Sequence, residues 1–381
     1  MKIGRLSEFA VIFLVICCCG LGVSSCAEKT IQVGYAGPLT GGYSDLGVQG
    51  RNGAMLAVEE INNSGGVAGK TLALIARNDK NSSVTAKKVD RDLIEKEVVA
   101  IIGHMTSNQS IAALPVVEKA EIVMLSPTTS TPKLSNKKDM FFRVQGATDF
   151  PALALGRFAF EELGIKTANL LCDTANMAYA EPFKENFIHA FQNSGGTVNG
   201  ECTFFSEQRK DWDTIMSCLN SGNPDGILTI TSARDTAELL QVIDTRSINV
   251  EIVSSGWAAT GSLLSYGGNA VNGLIIARTE FANHGSDRYN AFTKKYQKRF
   301  GRTPSFAAVQ AYDAVKVLAK ALEKTGGKKK GLPQALVDID NFPGLFRSIN
   351  INEYGDMMTS VFIMEVRNGT FHLIKKMEVE E

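Results

Sequence analysis

The chain has 381 residues, of which 44% are hydrophobic and 21% charged, with 40 basic side chains balanced by 40 acidic ones. This length suggests two or three domains, and the composition is that of an ordinary folded protein. The formal net charge of zero gives no reason to expect binding to nucleic acid or to an anionic membrane surface. We therefore expect no nucleic-acid partner.

The N-terminus is predicted to be a targeting signal. Lys2 and Arg5 precede an apolar stretch, residues 9–23, that is too short for a comfortable membrane span. Two serines then lead to Cys26, and this segment resembles the signal of bacterial lipoproteins, in which residues 1–25 are removed and the cysteine is lipidated. The alternative is ordinary signal cleavage beside an incidental cysteine. No other stretch is apolar and long enough to span a bilayer, so we expect lipid to be the only anchor.

The remaining cysteines predict one disulfide and no metal site. Of seven cysteines, three lie inside the signal and Cys26 would carry lipid, which leaves Cys172, Cys202 and Cys218 in an oxidising compartment. Cys202 begins a predicted strand and Cys218 lies late in the next helix, so we expect these two to be bonded and Cys172 to be a buried thiol. Metal-ligand spacing, a phosphate loop and a dinucleotide fingerprint are all missing from the sequence, so we expect no metal and no cofactor.

After the signal, short apolar runs alternate with amphipathic segments. The predicted elements are strand 30–35, helix 47–63, strand 72–76, helix 83–95, strand 98–102 and strand 122–125. Residues 141–144 are predicted to lead the chain into a second lobe. Alternating strands and helices indicate a parallel sheet with helices on both faces.

The same pattern then begins again, and Asp149 is predicted to cap the first helix of the second lobe. The predicted elements are helix 149–163, strand 167–172, helix 180–193, strand 197–205, helix 212–220, strand 226–230, helix 236–246, strands 251–254 and 274–277, helices 287–300 and 305–325, and strands 348–351 and 361–366. No long Pro-rich or Ser-rich linker divides the chain. This favours two lobes joined by short hinge segments over two independent domains.

Two loops rich in small hydroxyl residues are the first candidates for a small-molecule site. They follow strands 98–102 and 122–125, and ligands of open α/β sheets bind where the carboxyl ends of such strands open into a crevice. Ser107 is predicted to cap a helix, whose N-terminus suits a carboxylate. Thr128, Thr129 and Ser130 would complete the polar end of the site. The alternative, that Ser107 only caps its helix and the second loop is only a turn, stays open.

Several segments together resemble a known family of binding proteins. Gly-His-x-x-Ser at 103–107 and Ser-Pro-x-x-Ser-x-Pro at 126–132 are two of them, and residues 33–41, 53–67 and 308–315 add further matches at the same spacing. The chain resembles the branched-chain amino acid ABC-transporter substrate-binding family, which are Leu/Ile/Val-binding-protein-like, type I periplasmic binding proteins. The resemblance covers nearly the whole chain after the signal.

The resemblance implies an α/β fold of two Rossmann-like lobes with parallel sheets, joined by a three-strand hinge. It assigns residues 28–146 and 282–353 to the N-terminal lobe. Residues 147–281 and 354–381 then form the C-terminal lobe. Such proteins bind a ligand in the cleft between the lobes and close about the hinge.

The resemblance also implies ligand-binding residues on the second lobe. Tyr179 occupies the position of a ligand-covering tyrosine, and Ser232 lies where some relatives place another aromatic residue. The family's glutamate, which pairs with the ammonium of an amino acid, is replaced near Gly256 and Trp257. Asp173 or Glu280 could take its place. We expect Trp257 to form an apolar wall, so that aromatic or bulky apolar acids are candidates beside leucine, isoleucine and valine.

The sequence therefore predicts an extracytoplasmic solute-binding lipoprotein of an ABC importer, which binds an amino acid or related small carboxylate. We expect a monomer whose protein partner is the transporter permease, anchored by lipid on the periplasmic or extracellular face of a bacterial membrane. We found no catalytic constellation and expect no enzymatic activity. The alternative is the ligand-binding component of a sensor for small acids or amides, not coupled to transport.

Overall fold

The computed structural model describes residues 30–279 and 286–377. The predicted signal, Cys26 and Glu280 lie outside these ranges. Within them, none of the helices combines the length and the apolar character that crossing a membrane requires.

The described residues form fourteen strands and eleven helices of at least six residues. The strands are β1 (Ile31–Gly37), β2 (Leu72–Asn78), β3 (Ala100–Ile102), β4 (Val123–Ser126), β5 (Phe141–Arg143), β6 (Thr167–Asp173), β7 (Thr197–Phe204), β8 (Gly226–Ile230), β9 (Glu251–Ser255), β10 (Ile275–Arg278), β11 (Phe342–Pro343), β12 (Ser348–Ile349), β13 (Val361–Arg367) and β14 (Thr370–Met377). The helices are α1 (Ser44–Asn63), α2 (Ser83–Glu95), α3 (Ser107–Lys119), α4 (Asp149–Glu161), α5 (Met177–Asn193), α6 (Trp212–Leu219), α7 (Ala233–Thr245), α8 (Gly261–Gly267), α9 (Asp287–Phe300), α10 (Phe306–Thr325) and α11 (Leu332–Val337).

The first lobe is built on a five-stranded parallel sheet in the order β2-β1-β3-β4-β5. Strands β3 and β4 are buried along their whole length, which explains why their sequences are apolar without alternation. Residues 141–144 lead toward the second lobe, as predicted, and Phe141–Arg143 also pairs with β4 as an edge strand, which was not predicted.

Helices from late in the sequence complete the core of this lobe. Val309 and Leu318 of α10 share one buried cluster with Tyr35 of β1 and Ile102 of β3. Helices α1 and α10 approach closely at Gly53, where an added Cβ would lie 1.9 Å from the carbonyl oxygen of Ala308. Only glycine permits this contact between the two helices.

The second lobe is built on a seven-stranded sheet in the order β14-β13-β10-β9-β8-β6-β7. Strands β6 to β10 are parallel, as predicted, whereas β13 and β14 add an antiparallel edge. The chain passes between the sheets three times, after β5, after β10 and before β13. The residue boundaries of the two lobes stay a prediction.

Cys202 and Cys218 are joined by a disulfide in the second lobe, with their Cα atoms 6.1 Å apart. Cys202 lies in β7 and Cys218 in α6, the strand and the helix that follows it. Cys172 is a buried free thiol, and burial raises its pKa to about 12. A thiol with so high a pKa is inert at neutral pH.

Removing the disulfide is expected to destabilise the second lobe. The bond closes a loop of 16 residues. A cross-link that closes a loop of this length lowers the entropy of the unfolded chain and so stabilises the folded state by about 3 kcal/mol. The Cys202→Ser/Cys218→Ser variant should lose roughly that much free energy of unfolding in urea titrations. Peptide mapping of thiols in the denatured, unreduced protein should label Cys172 alone of these three cysteines. Labelling of all three would show that the bond does not form.

Candidate ligand-binding site

A cavity of about 570 Å³, measured with its open mouth, lies between the two lobes. Its walls come from the ends of parallel strands, as expected for an open α/β sheet. The first lobe contributes Leu46, Met105, Thr106, Ser107, Thr128 and Ser130, and the second lobe contributes Asn176, Tyr179, Phe183, Gly256, Trp257, Ala277 and Arg278. Residues 145–148, which cross between the sheets, and Pro151, Thr279 and Phe306 close the remaining sides.

The structure brings six of the eight predicted ligand-binding residues to this cavity and leaves two outside it. Thr129 is buried beneath the loop, and its hydroxyl lies 2.6 Å from that of Ser110. Ser232 caps α7, where its hydroxyl donates to the carboxylate of Asp235 at 2.7 Å. Neither residue lines the cavity, and their predicted contact with a ligand stays a prediction.

Ser107 begins helix α3 and does not cap it, because Thr106 occupies the N-cap position. The Ser107 side chain lines the cavity and is 1% exposed, yet its hydroxyl has no hydrogen-bond partner among the described residues. The hydroxyl of Ser130 also lines the cavity without a hydrogen-bond partner among the described residues. The carbonyl of Ser130 accepts a hydrogen bond from the Thr148 amide at 2.8 Å. Both hydroxyls are therefore available to a ligand.

Thr148 is a third such hydroxyl, and the sequence analysis missed it. It occupies the N-cap position of α4, so Asp149 is the first helical residue and not the cap that was predicted. The Thr148 hydroxyl is buried in the cavity wall, and no described residue bonds to it. A buried polar group without a partner costs roughly 1–3 kcal/mol, which a ligand oxygen would offset. The feature of the sequence that could have identified Thr148 is a Ser or Thr directly before a predicted helix.

Three helices begin at the cavity: α3 at Ser107, α4 beside Thr148, and α5 beside Asn176. Each helix N-terminus has N–H groups without a partner inside the helix and a partial positive charge. Their convergence, together with the three hydroxyls, favours an anionic group with several acceptor oxygens.

Aromatic rings also line the cavity. The ring of Trp257 meets that of Tyr179 edge-on, with centroids 5.4 Å apart. On its other side, Trp257 stacks on Tyr43 from the first lobe, also at 5.4 Å. Phe183 lies behind Tyr179 at 6.0 Å. These rings make a rigid apolar surface on which an aromatic ring or a branched chain can pack.

Gly256, near which the resemblance places the family's glutamate, has no room for a side chain unless the backbone shifts. An added Cβ on Gly256 would lie 2.9 Å from the carbonyl oxygen of Ala277. Asp173 does not replace it, because its carboxylate is turned toward the Tyr43 hydroxyl and the amides of Ala175 and Ser206. Among the described residues that line the cavity, the one charged side chain is Arg278.

The chain is similar to known proteins in sequence and in fold. The sequence model of a family described as "Periplasmic binding protein" matches residues 30–370. The chain belongs to this family. It is 22% identical over 347 residues to the leucine-, isoleucine-, valine-, threonine- and alanine-binding protein of Pseudomonas aeruginosa, which covers 91% of this chain and 92% of that protein. These relatives are solute-binding proteins and not enzymes, and the same holds for this binding protein.

Solved structures share the fold over nearly its full length. The leucine-binding protein LivK of Thermotoga maritima matches with a TM-score of 0.83 and 27% identity, covering 91% of this chain and 98% of that one. A solute-binding protein of Rhodopseudomonas palustris in complex with 3,4-dihydroxybenzoic acid matches with a TM-score of 0.82 and 24% identity, covering 92% and 98%. This binding protein therefore has the two-lobed α/β fold of the type I periplasmic binding proteins.

A buried ion cluster holds the two first-lobe loops of the binding protein in place. His104 is fully buried, with its Nδ1 2.8 Å from Asp79 and its Nε2 3.1 Å from Asp90. Burial alone would lower the pKa of His104, but the charge of Asp90 and the hydrogen bond to Asp79 outweigh it and raise the pKa to about 10. The carbonyl of His104 accepts hydrogen bonds from Ser126 at 2.7 Å and Thr129 at 3.2 Å, so the cluster connects both loops.

Because of this cluster, the free energy of unfolding is expected to decrease as the pH rises. The folded-state pKa of His104 lies above its value of 6.5 in the unfolded chain, so the folded protein holds the proton more tightly. The stabilisation is complete below pH 6.5 and is lost as the pH rises through about 10, with a slope of at most about 1.4 kcal/mol per pH unit. Urea unfolding between pH 7 and 10 measures this slope.

The His104→Gln variant should be less stable than wild type at pH 7 and should lack this part of the slope. The variant is the necessary comparison because Cys172, whose pKa is also raised in the folded state, adds a falling slope of its own above pH 8.5. His189→Gln, at an exposed histidine, is the matched control. Equal slopes in wild type and His104→Gln would show that His104 is not held as a cation.

Proposed function

We propose that this protein is the lipid-anchored solute-binding component of an ABC importer, and that its ligand is a small carboxylate with an aromatic or bulky apolar body. The observation that supports this most directly is the division of the cavity. Hydroxyls without protein partners and three helix N-termini form one part, and aromatic rings form the other.

The carboxylate is assigned to the polar part, where Ser107, Ser130 and Thr148 can donate to its two oxygens. Each oxygen of a carboxylate accepts more than one hydrogen bond, so one group can satisfy all three hydroxyls. Hydrogen bonds to a charged group contribute about 1.5–3 kcal/mol each, roughly twice the value for neutral pairs. Thr128 completes this part as a shaping residue, because its hydroxyl already donates to the Met105 carbonyl at 2.6 Å.

The body of the ligand is assigned to the surface made by Trp257, Tyr179 and Phe183. A buried ammonium needs a paired carboxylate, and the described lining supplies a guanidinium from Arg278 and no carboxylate. This charge balance favours an acid without an α-amino group. The complex of the R. palustris protein with 3,4-dihydroxybenzoic acid makes aromatic acids the first compounds to test.

Binding is proposed to close the lobes about the ligand. Residues of the two lobes meet directly across the cleft, where the Tyr43 hydroxyl donates to Asp173 and the Lys133 ammonium lies 2.8 Å from the Glu181 carboxylate. A ligand held by first-lobe hydroxyls and second-lobe rings contacts both sides at once, so it favours the closed arrangement. The closed form would then be recognised by the permease of the importer.

Ligand binding by wild type and Ser107→Ala is the first test. Titration calorimetry with benzoate, 3,4-dihydroxybenzoate and leucine should show tighter binding of an aromatic acid than of leucine. Ser107→Ala is expected to weaken that binding by roughly 10- to 150-fold, the effect of losing one hydrogen bond to a charged group.

Thr148→Val extends this test, because it keeps the shape of the side chain and removes a hydroxyl that no described residue bonds. It should weaken binding without lowering the melting temperature of the ligand-free protein. Ser64→Ala, at an exposed serine after α1, is the matched control. Wild-type affinity in Ser107→Ala and Thr148→Val would place the carboxylate elsewhere, and preferential binding of leucine would contradict the aromatic-acid assignment.

The anchor is tested separately. The motif that ends at Cys26 predicts removal of residues 1–25 and lipidation of the new N-terminal cysteine. Cys26→Ala should therefore move the protein from the membrane fraction to the soluble fraction when expressed in a bacterium. Mass spectrometry of the purified wild type should show the added lipid at Cys26. A Cys26→Ala protein that stays with the membranes would rule out this anchor.

A further inference from the structure

Two helices from opposite lobes begin face to face across the cleft, and each is capped by the other. Helix α3 of the first lobe starts at Ser107, and its N-cap residue Thr106 makes no side-chain cap bond. Helix α5 of the second lobe starts at Met177, and its N-cap residue Asn176 makes none within its own helix either. Both helices therefore depend on other residues for their first-turn N–H groups.

Two asparagines supply the missing caps by exchange. Oδ1 of Asn176 accepts a hydrogen bond from the backbone N–H of Asn108 in α3 at 3.2 Å. In return, Oδ1 of Asn108 accepts one from the backbone N–H of Ala178 in α5 at 2.8 Å. The amide nitrogen of Asn108 also donates to the Ala175 carbonyl at 3.0 Å. Three hydrogen bonds thus join the lobes at a single point.

This mutual capping is possible only when the two lobes are in contact. Two helix N-termini carry partial charges of the same sign, so bringing them face to face is unfavourable unless an acceptor lies between them. The two amide oxygens provide that acceptor. When the lobes separate, each helix loses its side-chain cap, a contribution of the size of an ordinary N-cap.

We propose that Asn108 and Asn176 form an interlobe lock that sets how readily the lobes close, independently of which ligand the cavity takes. Asn108 directly follows Ser107, and Asn176 lines the cavity, so the lock lies at the edge of the ligand site. The Lys133–Glu181 pair also joins the lobes, but its side chains are 49% and 41% exposed. An exposed ion pair of this kind contributes little to closure.

The Lys133–Glu181 pair provides a reporter of closure that needs no ligand. In a Lys133→Cys/Glu181→Cys background, a short bifunctional thiol reagent can link the two positions only when the lobes are together. The rate of cross-linking of the purified protein then measures the closed population. Asn108→Ala, which removes two of the three bonds, should slow cross-linking by roughly 5- to 30-fold. Asn176→Ala removes one bond and should slow it less.

Asn193→Ala, at an exposed asparagine near the far end of α5, is the matched control and should cross-link at the rate of the background protein. Cross-linking is measured at a temperature at which circular dichroism shows every variant folded, so that the rates report closure and not unfolding. A lower closed population with an unchanged melting temperature supports the lock. Asn108→Ala cross-linking as fast as Asn193→Ala would overturn it.

Discussion

The buried contact of His104 with Asp79 and Asp90 is the constraint on which the ligand site depends. Three ionisable groups without solvent exposure are stable only when they satisfy one another, because breaking such a cluster leaves an uncompensated charge in the interior. The cluster fixes the backbone at His104. Through the carbonyl of that residue it fixes the loop after β4 as well.

The cleft follows from the topology of the two sheets. In each lobe the loops at the carboxyl ends of the parallel strands face the other lobe, and helices begin there. This places helix N-termini on both sides of one cavity. Helix N-termini from both lobes therefore contribute to one polar part of the cavity, and the anionic ligand that we propose would connect the lobes through it. The hydrogen bonds between Asn108 in α3 and Asn176 and Ala178 at the start of α5 connect the two lobes directly at the same place.

The selectivity that we propose rests on a few residues at the end of one strand of the second lobe. At the end of β9 the backbone of Gly256 lies so close to Ala277 that a side chain does not fit. Trp257 fills the neighbouring space and stacks on Tyr43 of the first lobe. An apolar wall thus stands where the family resemblance places a carboxylate. The charge and shape of the cavity change together while the fold stays the same.

Sequence alone determined most of the fold and part of the site. Buried parallel strands leave continuous apolar runs, so β3, β4 and β8 were located, and the hydroxyl loops after β3 and β4 pointed to Ser107, Thr128 and Ser130. The short strand β5, helices α8 and α11, and strand β14 were missed. Elements of this kind owe their structure to neighbours distant in the sequence, and local pattern carries little of that information.

Only the tertiary structure decided which polar side chains face the ligand cavity. Ser232 and Thr129 have the same chemistry as Ser107 and Thr148, and the sequence gives no way to distinguish them. The Ser232 hydroxyl donates to Asp235 in the helix that it caps, and the Thr129 hydroxyl bonds to Ser110 of α3 and to the His104 carbonyl. The hydroxyls of Ser107 and Thr148, in contrast, have no protein partner in the described chain. That difference depends on which elements pack around each hydroxyl in the folded chain, and these are distant in the sequence from one case to the next. Hydrophobic patterning indicated the fold and the resemblance of several motifs indicated the family, whereas the packing of the two lobes against each other formed the site.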